Sequence, residues 1–437
     1  MAVRALQPFR HQQYRVLALA MLISLFGHGL WAVSMVYQVR ALGGGLLELS
    51  ITTTALSIGL LACILIGGIA ADRLPKHRIL LAVEITDAIT IGAIALLSLT
   101  GTLQLWHLVV VAGLVGASAS FFFPAYSALL PGILPPQDLL AANGLEGTAR
   151  PALSLAAGPA LAGVIVAAAS PGAALALLAL CHVAASIVLT RLGPPQKATP
   201  LPDAAGSPAS AGSRASALRD LAEGVRYTRR TPWLLWTLLF ACVSVLTTVG
   251  PIEVLLPFVV SDQLGGDSTM FGGLLAVVGV GSMVGSIVTA SRPLPRRYLT
   301  WMLAAWGLGS LPLILIGFTN QWWVVAVVGL GWGITGAMGQ VIWGTLLQRR
   351  VPHHMLGRVS SLDFFVSLAL MPVSMALAGP LATIMPMWVI FAIAAVVSPL
   401  VAAAAWWGGR LWRDEIDHPL DVGGEGREPV TTAAPES

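Results

Sequence analysis

Glu253 stands between Pro251 and Pro257 in a run that is otherwise uncharged from Trp233 to Val259. An unpaired carboxylate in such surroundings is suited to exchanging protons. Arg40 is the available cation, and a pair with it would make Glu253 part of a gate instead. His28 belongs to a second set: Ser24, His28, Trp31, Met35 and Gln38 recur at helical intervals and give one face of polar and aromatic groups. An imidazole titrates near neutrality, so His28 is either a proton carrier or a neutral hydrogen-bonded histidine. Glu146 and Arg150, four apart, have the spacing of a helical ion pair. Glu84 and Asp87, three apart, share a face near a span end, where they can reach interfacial cations in a structural role. There is no H-E-x-x-H or G-x-S-x-G pattern, and His353 and His354 sit in a basic loop. The two lysines, Lys76 and Lys197, are followed by His77 and Ala198, which excludes a Walker A loop. No catalytic group, cofactor or metal is expected; a membrane enzyme or sensor is a distant alternative.

The elements that hold these residues must lie in lipid. Of the residues, 56% are hydrophobic and 10% charged, and mean hydropathy is +0.82. Twelve apolar stretches can each cross a hydrocarbon core of about 30 Å: 16–39, 49–71, 79–99, 106–129, 145–169, 171–191, 233–259, 268–290, 299–318, 322–346, 359–383 and 386–410. The first is too long for a signal peptide and lacks a small-residue cleavage site, so it is read as a retained helix. Cys63, Cys181 and Cys242 fall inside spans and read as buried thiols.

Among the 24 Lys and Arg, Arg40 alone falls on one side of this topology. The positive-inside rule then places both termini in the cytoplasm of a multi-pass protein of the cell membrane, inner or plasma. The basic balance reports topology, with no soluble domain to bind nucleic acid. Trp106, Trp322 and Trp388 fall at outer ends, and Trp233, Trp406 and Trp407 at inner ends, as an aromatic belt. Four regions follow: a six-helix half (1–191), a cytoplasmic linker (192–232), a second six-helix half (233–410) and a disordered cytoplasmic tail (411–437). The linker is rich in Pro, Ala, Gly and Ser. It ends in an amphipathic helix with Leu218, Leu221 and Val225 opposite Arg219, Arg226, Arg229 and Arg230.

The halves repeat. A shift of 217 residues aligns Pro135 with Pro352, Leu139 with Leu356, Leu145 with Leu362, and Glu146 with Asp363. Such repeats are the architecture of many secondary transporters, with a site between the halves. The stretch "GGIAADRLPKHR", with Gly68, Asp72, Arg73, Lys76 and Arg78, resembles the signature between the second and third helices of the major facilitator superfamily. That resemblance implies an all-α fold of twelve membrane helices in two pseudo-twofold halves. Gly68 would permit close helix approach, and Asp72 would cap helix eleven as a latch on the inner gate. The second copy keeps Gly285, Arg292, Arg296 and Arg297 but has no acid. By pseudo-symmetry, Glu146 is expected to pair with Arg297, and Asp363 with Arg73.

"FFFPAYSALLPGILPPQDLLAANGLEGT", "GPALAG", "EGVRYTRRTPWL" and "LLQRRVPHHMLGRVSS" together look like the drug:H⁺ antiporter-3 group, which contains macrolide-efflux and enterobactin-exporter proteins. Gly158, Pro159 and Gly163 resemble its antiporter motif, with packing as the alternative role. The helix-four arginine of many proton-coupled drug antiporters is missing. Helix six is peripheral in such folds, which makes His182 less attractive than His28. Phe122 and Tyr126, with Trp332 and Gln340, would complete a mostly apolar cavity lined also by Ser24, His28, Trp31 and Gln38, although aromatic stripes also serve packing. The expectation is a monomeric secondary transporter in the lipid bilayer that exports a hydrophobic or amphipathic small molecule (drug, macrolide-like or siderophore-like) against protons by alternating access. A lysolipid or lipid translocator and a passive importer are the alternatives.

Overall fold

Lipid offers no hydrogen-bond partners, so a chain this apolar must satisfy its backbone within each segment, and helices do so. The computed structural model describes residues 7–193 and 223–420 apart from 353, 354, 356–358, 360, 361, 364 and 368, and apart from the side chains of 65, 69, 72, 136, 137 and 140. The first half contains α1 (Gln12–Ala41), α2 (Leu46–Arg73), α3 (Lys76–Leu99) and α4 (Leu105–Leu129). It continues with α5, which runs Pro136–Arg150, widens into a π-helical turn at Pro151–Ala157 and resumes at Gly158–Ala168, and ends with α6 (Pro171–Leu189). In the second half, α7 (Pro232–Gly250) continues through π-helical turns at Pro251–Leu255 and Val259–Gln263. Then come α8 (Ser268–Ala290), α9 (Tyr298–Leu308, extended by a 3₁₀ stretch at Leu311–Gly317), α10 (Trp322–Arg350), α11 (Met371–Ile384) and α12 (Met387–Gly408). Twelve described segments are long and apolar enough to cross a membrane, as expected.

Within the first half α2 packs on α4, and α6 on both α1 and α3; within the second, α8 packs on α10 and α12 on α7 and α9. Between the halves, α2 meets α11 and α5 meets α8. The buried core is divided unequally. Its largest part joins both halves at the Arg40 end, through Leu30, Ile91, Val254 and Phe391. Toward the Arg73 end it splits into two clusters, Tyr14, Leu80 and Leu129 in one half and Tyr298, Leu346 and Leu411 in the other. The molecule is therefore sealed at one end and cleft toward the other.

Trp106, Trp322, Trp388 and Trp407 are exposed at helix ends, but Trp233 is not a belt residue. It is buried, with the Arg350 guanidinium 4.7 Å from its ring centroid and Trp343 against its edge. Of the linker expected at 192–232, residues 194–222, with most of its amphipathic helix, lie outside the described residues, and 223–230 is helical.

The tail needs correction. Leu411–Asp417 forms a short helix, α13, docked on the second half, because it carries buried Leu411 and an acid that α9 requires. Glu415, 1% exposed, accepts hydrogen bonds from the Thr300 backbone N–H (3.0 Å) and hydroxyl (2.6 Å), satisfying donors left open at the start of α9. Asp414 pairs with Arg350, and Tyr298 donates its hydroxyl proton to the His418 carbonyl at 2.9 Å. Residues 421–437 lie outside the described ones. Glu415→Ala is expected to cost about 2 kcal/mol, the scale of hydrogen bonds to a charged acceptor. It should lower the unfolding midpoint in detergent, read by tryptophan fluorescence; an unchanged midpoint would remove α13 from the fold's stabilising contacts.

Candidate functional site

The cleft continues upward as a cavity of about 470 Å³ between the halves. Helices α1 and α5 line it on one side with Ala32, Val36, Ser154 and Pro159; α7, α8 and α10 line the other with Glu253, Phe271, Ser282, Ser286, Trp332 and Gln340. Most of the wall is apolar, with a few polar anchors, as small-molecule sites usually are. Glu253 projects from the π-helical turn of α7, and its side chain is exposed in the lining of this cavity. A π-turn inserts one residue per helical turn and re-aims what it carries, which is why such turns recur at functional positions. A second cavity of about 310 Å³ inside the second half shares Trp332, Gly336 and Gln340 with the first and is lined by Trp306, Trp343 and Asp363.

At the sealed end, Arg40 reaches across to Asp262 (3.2 Å) and Ser261, with its guanidinium 5.2 Å from the Phe258 ring centroid. Glu253 is not the acid that Arg40 meets. The sequence reading missed Asp262, and only the π-turns that set the register of α7 place it there. Ser50 donates to the Met375 carbonyl and Ser57 to its sulfur (3.1 Å), while Ser268 donates to the Gly163 carbonyl at 2.9 Å. These hydrogen bonds link the halves. The Arg40 pair is largely exposed and worth about 1 kcal/mol or less.

The segment Gly158, Pro159 and Gly163 serves two contacts. A Cβ at Gly158 would lie 2.6 Å from Gly29 Cα of α1, and one at Gly163 would overlap the Ser268 carbonyl of α8. Gly163 therefore sits at the seam between the halves, where α5 and α8 can approach only without a side chain.

At the cleft end, Glu146 pairs with Arg150 at 2.6 Å, the spacing's own prediction. Asp363 accepts a hydrogen bond from Trp343 at 3.0 Å. Both acids are thus held within their own halves in this conformation, and the cross-half partners expected for them, Arg297 and Arg73, are exposed. The role expected of Gly68 also needs revision: it faces open space, whereas its neighbour Gly67 packs on the Ser120 backbone of α4. Arg73 and Arg78 are exposed and Lys76 half-buried at the α2–α3 turn. The Asp72 side chain lies outside the described ones.

The polar face of α1 turns away from the central cavity. Gln38 is buried against α3, accepting from Ser98 at 2.7 Å; Ser24 and Met35 are buried too. His28 and Trp31 line a smaller cavity of about 190 Å³ within the first half, together with His182. There His182 Nδ1 lies 2.8 Å from Glu84 Oε2, with both side chains at most 2% exposed, and the His28 ring stands edge-on, 6.1 Å between centroids. Tyr126 is buried, and Phe122 stacks on it, with neither in the central lining. Of the residues expected to line the cavity, Trp332 and Gln340 do so. The spacing of Phe271, Leu274, Val278, Ser282 and Ser286 is the sequence signal that could have identified α8 as a wall.

Residues 17–371 match a family model described as the Major Facilitator Superfamily. The chain is 27% identical over 377 residues to the multidrug efflux pump Tap of Mycolicibacterium fortuitum, covering 82% of this chain and 86% of that one. It is 24% identical over 354 residues to the enterobactin exporter EntS of Shigella dysenteriae serotype 1 (strain Sd197), covering 80% and 81%. In architecture it is similar to the crystal structure of the nucleoside transporter NupG, with a TM-score of 0.61 at 13% identity, covering 91% of this chain and 99% of that one.

Proposed function

As the chain belongs to the Major Facilitator Superfamily, a transporter family and not an enzyme family, we propose that it is a proton-coupled exporter of hydrophobic or amphipathic small molecules. The division of the core carries the reading: one cluster joins the halves at the Arg40 end and two separate clusters hold them at the other, with an apolar cavity at the junction. A protein built this way can expose its cavity alternately by rocking one half on the other. On the positive-inside reading the cleft end is the cytoplasmic one, and that orientation supports an inward-open conformation, the state in which an exporter loads. Efflux relatives support export. Glu253 is the proposed coupling acid, placed where substrate and proton compete for one lumen. The protein acts as a monomer in the cell membrane.

The test uses proteoliposomes holding the purified protein and ethidium as an amphipathic probe. Accumulation should follow an imposed proton gradient and collapse when a protonophore dissipates it. Ethidium movement indifferent to the gradient would instead be that of a passive carrier or a lipid translocator. For the latch, Asp72, Glu146 and Asp363 take cross-half partners only when the cytoplasmic end closes. Asp72→Asn should then leave insertion intact and slow ethidium transport about tenfold, the effect of shifting a two-state balance by about 1.4 kcal/mol. Equal rates at equal expression would remove the latch from the mechanism.

A further inference from the structure

The first half holds a buried polar cluster for which the central cavity has no use. Glu84 and Asp87 lie one turn apart on α3, 1% and 2% exposed. Glu84 is held by His182 of α6, whereas Asp87 Oδ1 and Ser118 Oγ of α4 are buried with no partner beyond each other. Burying two carboxylates is costly unless their charge is compensated. The groups facing them from the packed helices are His182 and Cys181 on α6, Ser118 on α4 and His28 on α1, with Arg150 of α5 the cation whose field reaches His28. No buried Lys or Arg joins the cluster among the described residues. Two carboxylates and one imidazole become neutral only when they share two protons, so the cluster must bind protons to be stable in its low-dielectric site.

The geometry also supplies a route. His182 uses Nδ1 for Glu84, while Nε2 faces α1 beside Gly27, where a Cβ would lie 3.8 Å from it. His28, the next residue, is exposed to its own cavity. We propose that Glu84, Asp87 and His182 form a proton-binding site inside the first half, reached through His28 and separate from Glu253.

In the loaded form Glu84 is ionised, His182 carries protons on both ring nitrogens and Asp87 is a neutral acid. Release breaks the His182 Nε2–H bond and forms an N–H bond on His28, which passes the proton to water in its cavity; uptake is the reverse. The cluster then alternates between neutral and singly negative, and the protein has one titrating site in each half. This site exists whether or not Glu253 carries the coupling proton, so it stands apart from the proposed function.

The test is proton uptake by the purified full-length protein between about pH 5 and about pH 9, the range of perturbed carboxyl and imidazole groups, with infrared difference spectra of the carboxylic acid and imidazole bands. Asp87→Asn, neutral as the acid is, should keep the cluster's uptake of about one proton per molecule but remove the carboxylic acid band that shifts as His182 titrates and that persists in Glu253→Gln. His182→Gln should reduce uptake by about one proton per molecule, remove an imidazole band and leave the Glu253 contribution in place. The unmodified protein with isotopically labelled histidine gives the same imidazole reading should a variant fail to fold. Titration unchanged in His182→Gln and Glu84→Gln, or no titrating histidine in the labelled protein, would overturn the proposal. So would a response that appears only with added sodium, which would make the cluster a cation site.

Discussion

Glu253→Gln is expected to reduce gradient-driven ethidium accumulation to background while binding and ethidium exchange persist. Glutamine keeps the size and hydrogen-bonding capacity of the protonated acid but cannot release a proton, so the transporter should still cycle with substrate and no longer couple. The structure sharpens this expectation because Arg40 is engaged by Asp262, leaving Glu253 to face the cavity from its π-turn. Glu253→Asp, which keeps the titrating group on a shorter arm, should retain part of the accumulation. If exchange fails together with accumulation in Glu253→Gln, the residue binds substrate or holds the fold, and the coupling site is elsewhere.

Gly163→Val should have the second largest effect, by a different route. The added side chain would meet the Ser268 backbone of α8, which cannot move aside as the end of a flexible side chain can. The sealed end would have to part, favouring the opposite state of the cycle. Spin labels at Ala41→Cys and Asn320→Cys, one on each half at that end, in a background without Cys63, Cys181 and Cys242, should report a longer distance than in the unmodified protein. Transport should fall more than about tenfold, since a single overlap of this kind exceeds the roughly 1.4 kcal/mol that shifts a balanced equilibrium by that factor. An unchanged distance with normal transport would mean that α5 and α8 do not control the seal.

Much of the fold was legible because membrane helices announce themselves by length and by what bounds them. Twelve apolar stretches between basic or Pro/Gly turns became twelve membrane-length segments among the described residues, and Glu146 found Arg150 at the spacing that predicts it. The site was less legible, for a reason common to its errors. On α1 the sequence marks the face through His28 and Gln38 as polar, and a polar face on a membrane helix reads as cavity lining. In lipid a polar group gains more from another polar group within its own bundle: Gln38 turned to Ser98, and His28 turned toward His182. The same preference drew Glu84 inward to His182 rather than out to interfacial cations. The cavity received Ala32 and Val36 instead. Asp262 escaped notice because its partner is far along the chain and α7 changes register twice before reaching it. Gly67 and Gly68 are adjacent, and only helix rotation decides which one packs.

The central claim is that substrate and proton move in opposite directions through one cavity, and it is tested most directly in proteoliposomes with no imposed proton gradient. An ethidium gradient is established across the membrane, and lumenal pH is followed with a trapped indicator as ethidium runs down that gradient. The account predicts a pH change of opposite direction to the ethidium flux, abolished by protonophore and absent in Glu253→Gln even though ethidium still equilibrates. Ethidium equilibration by the unmodified protein with no change in lumenal pH would contradict it.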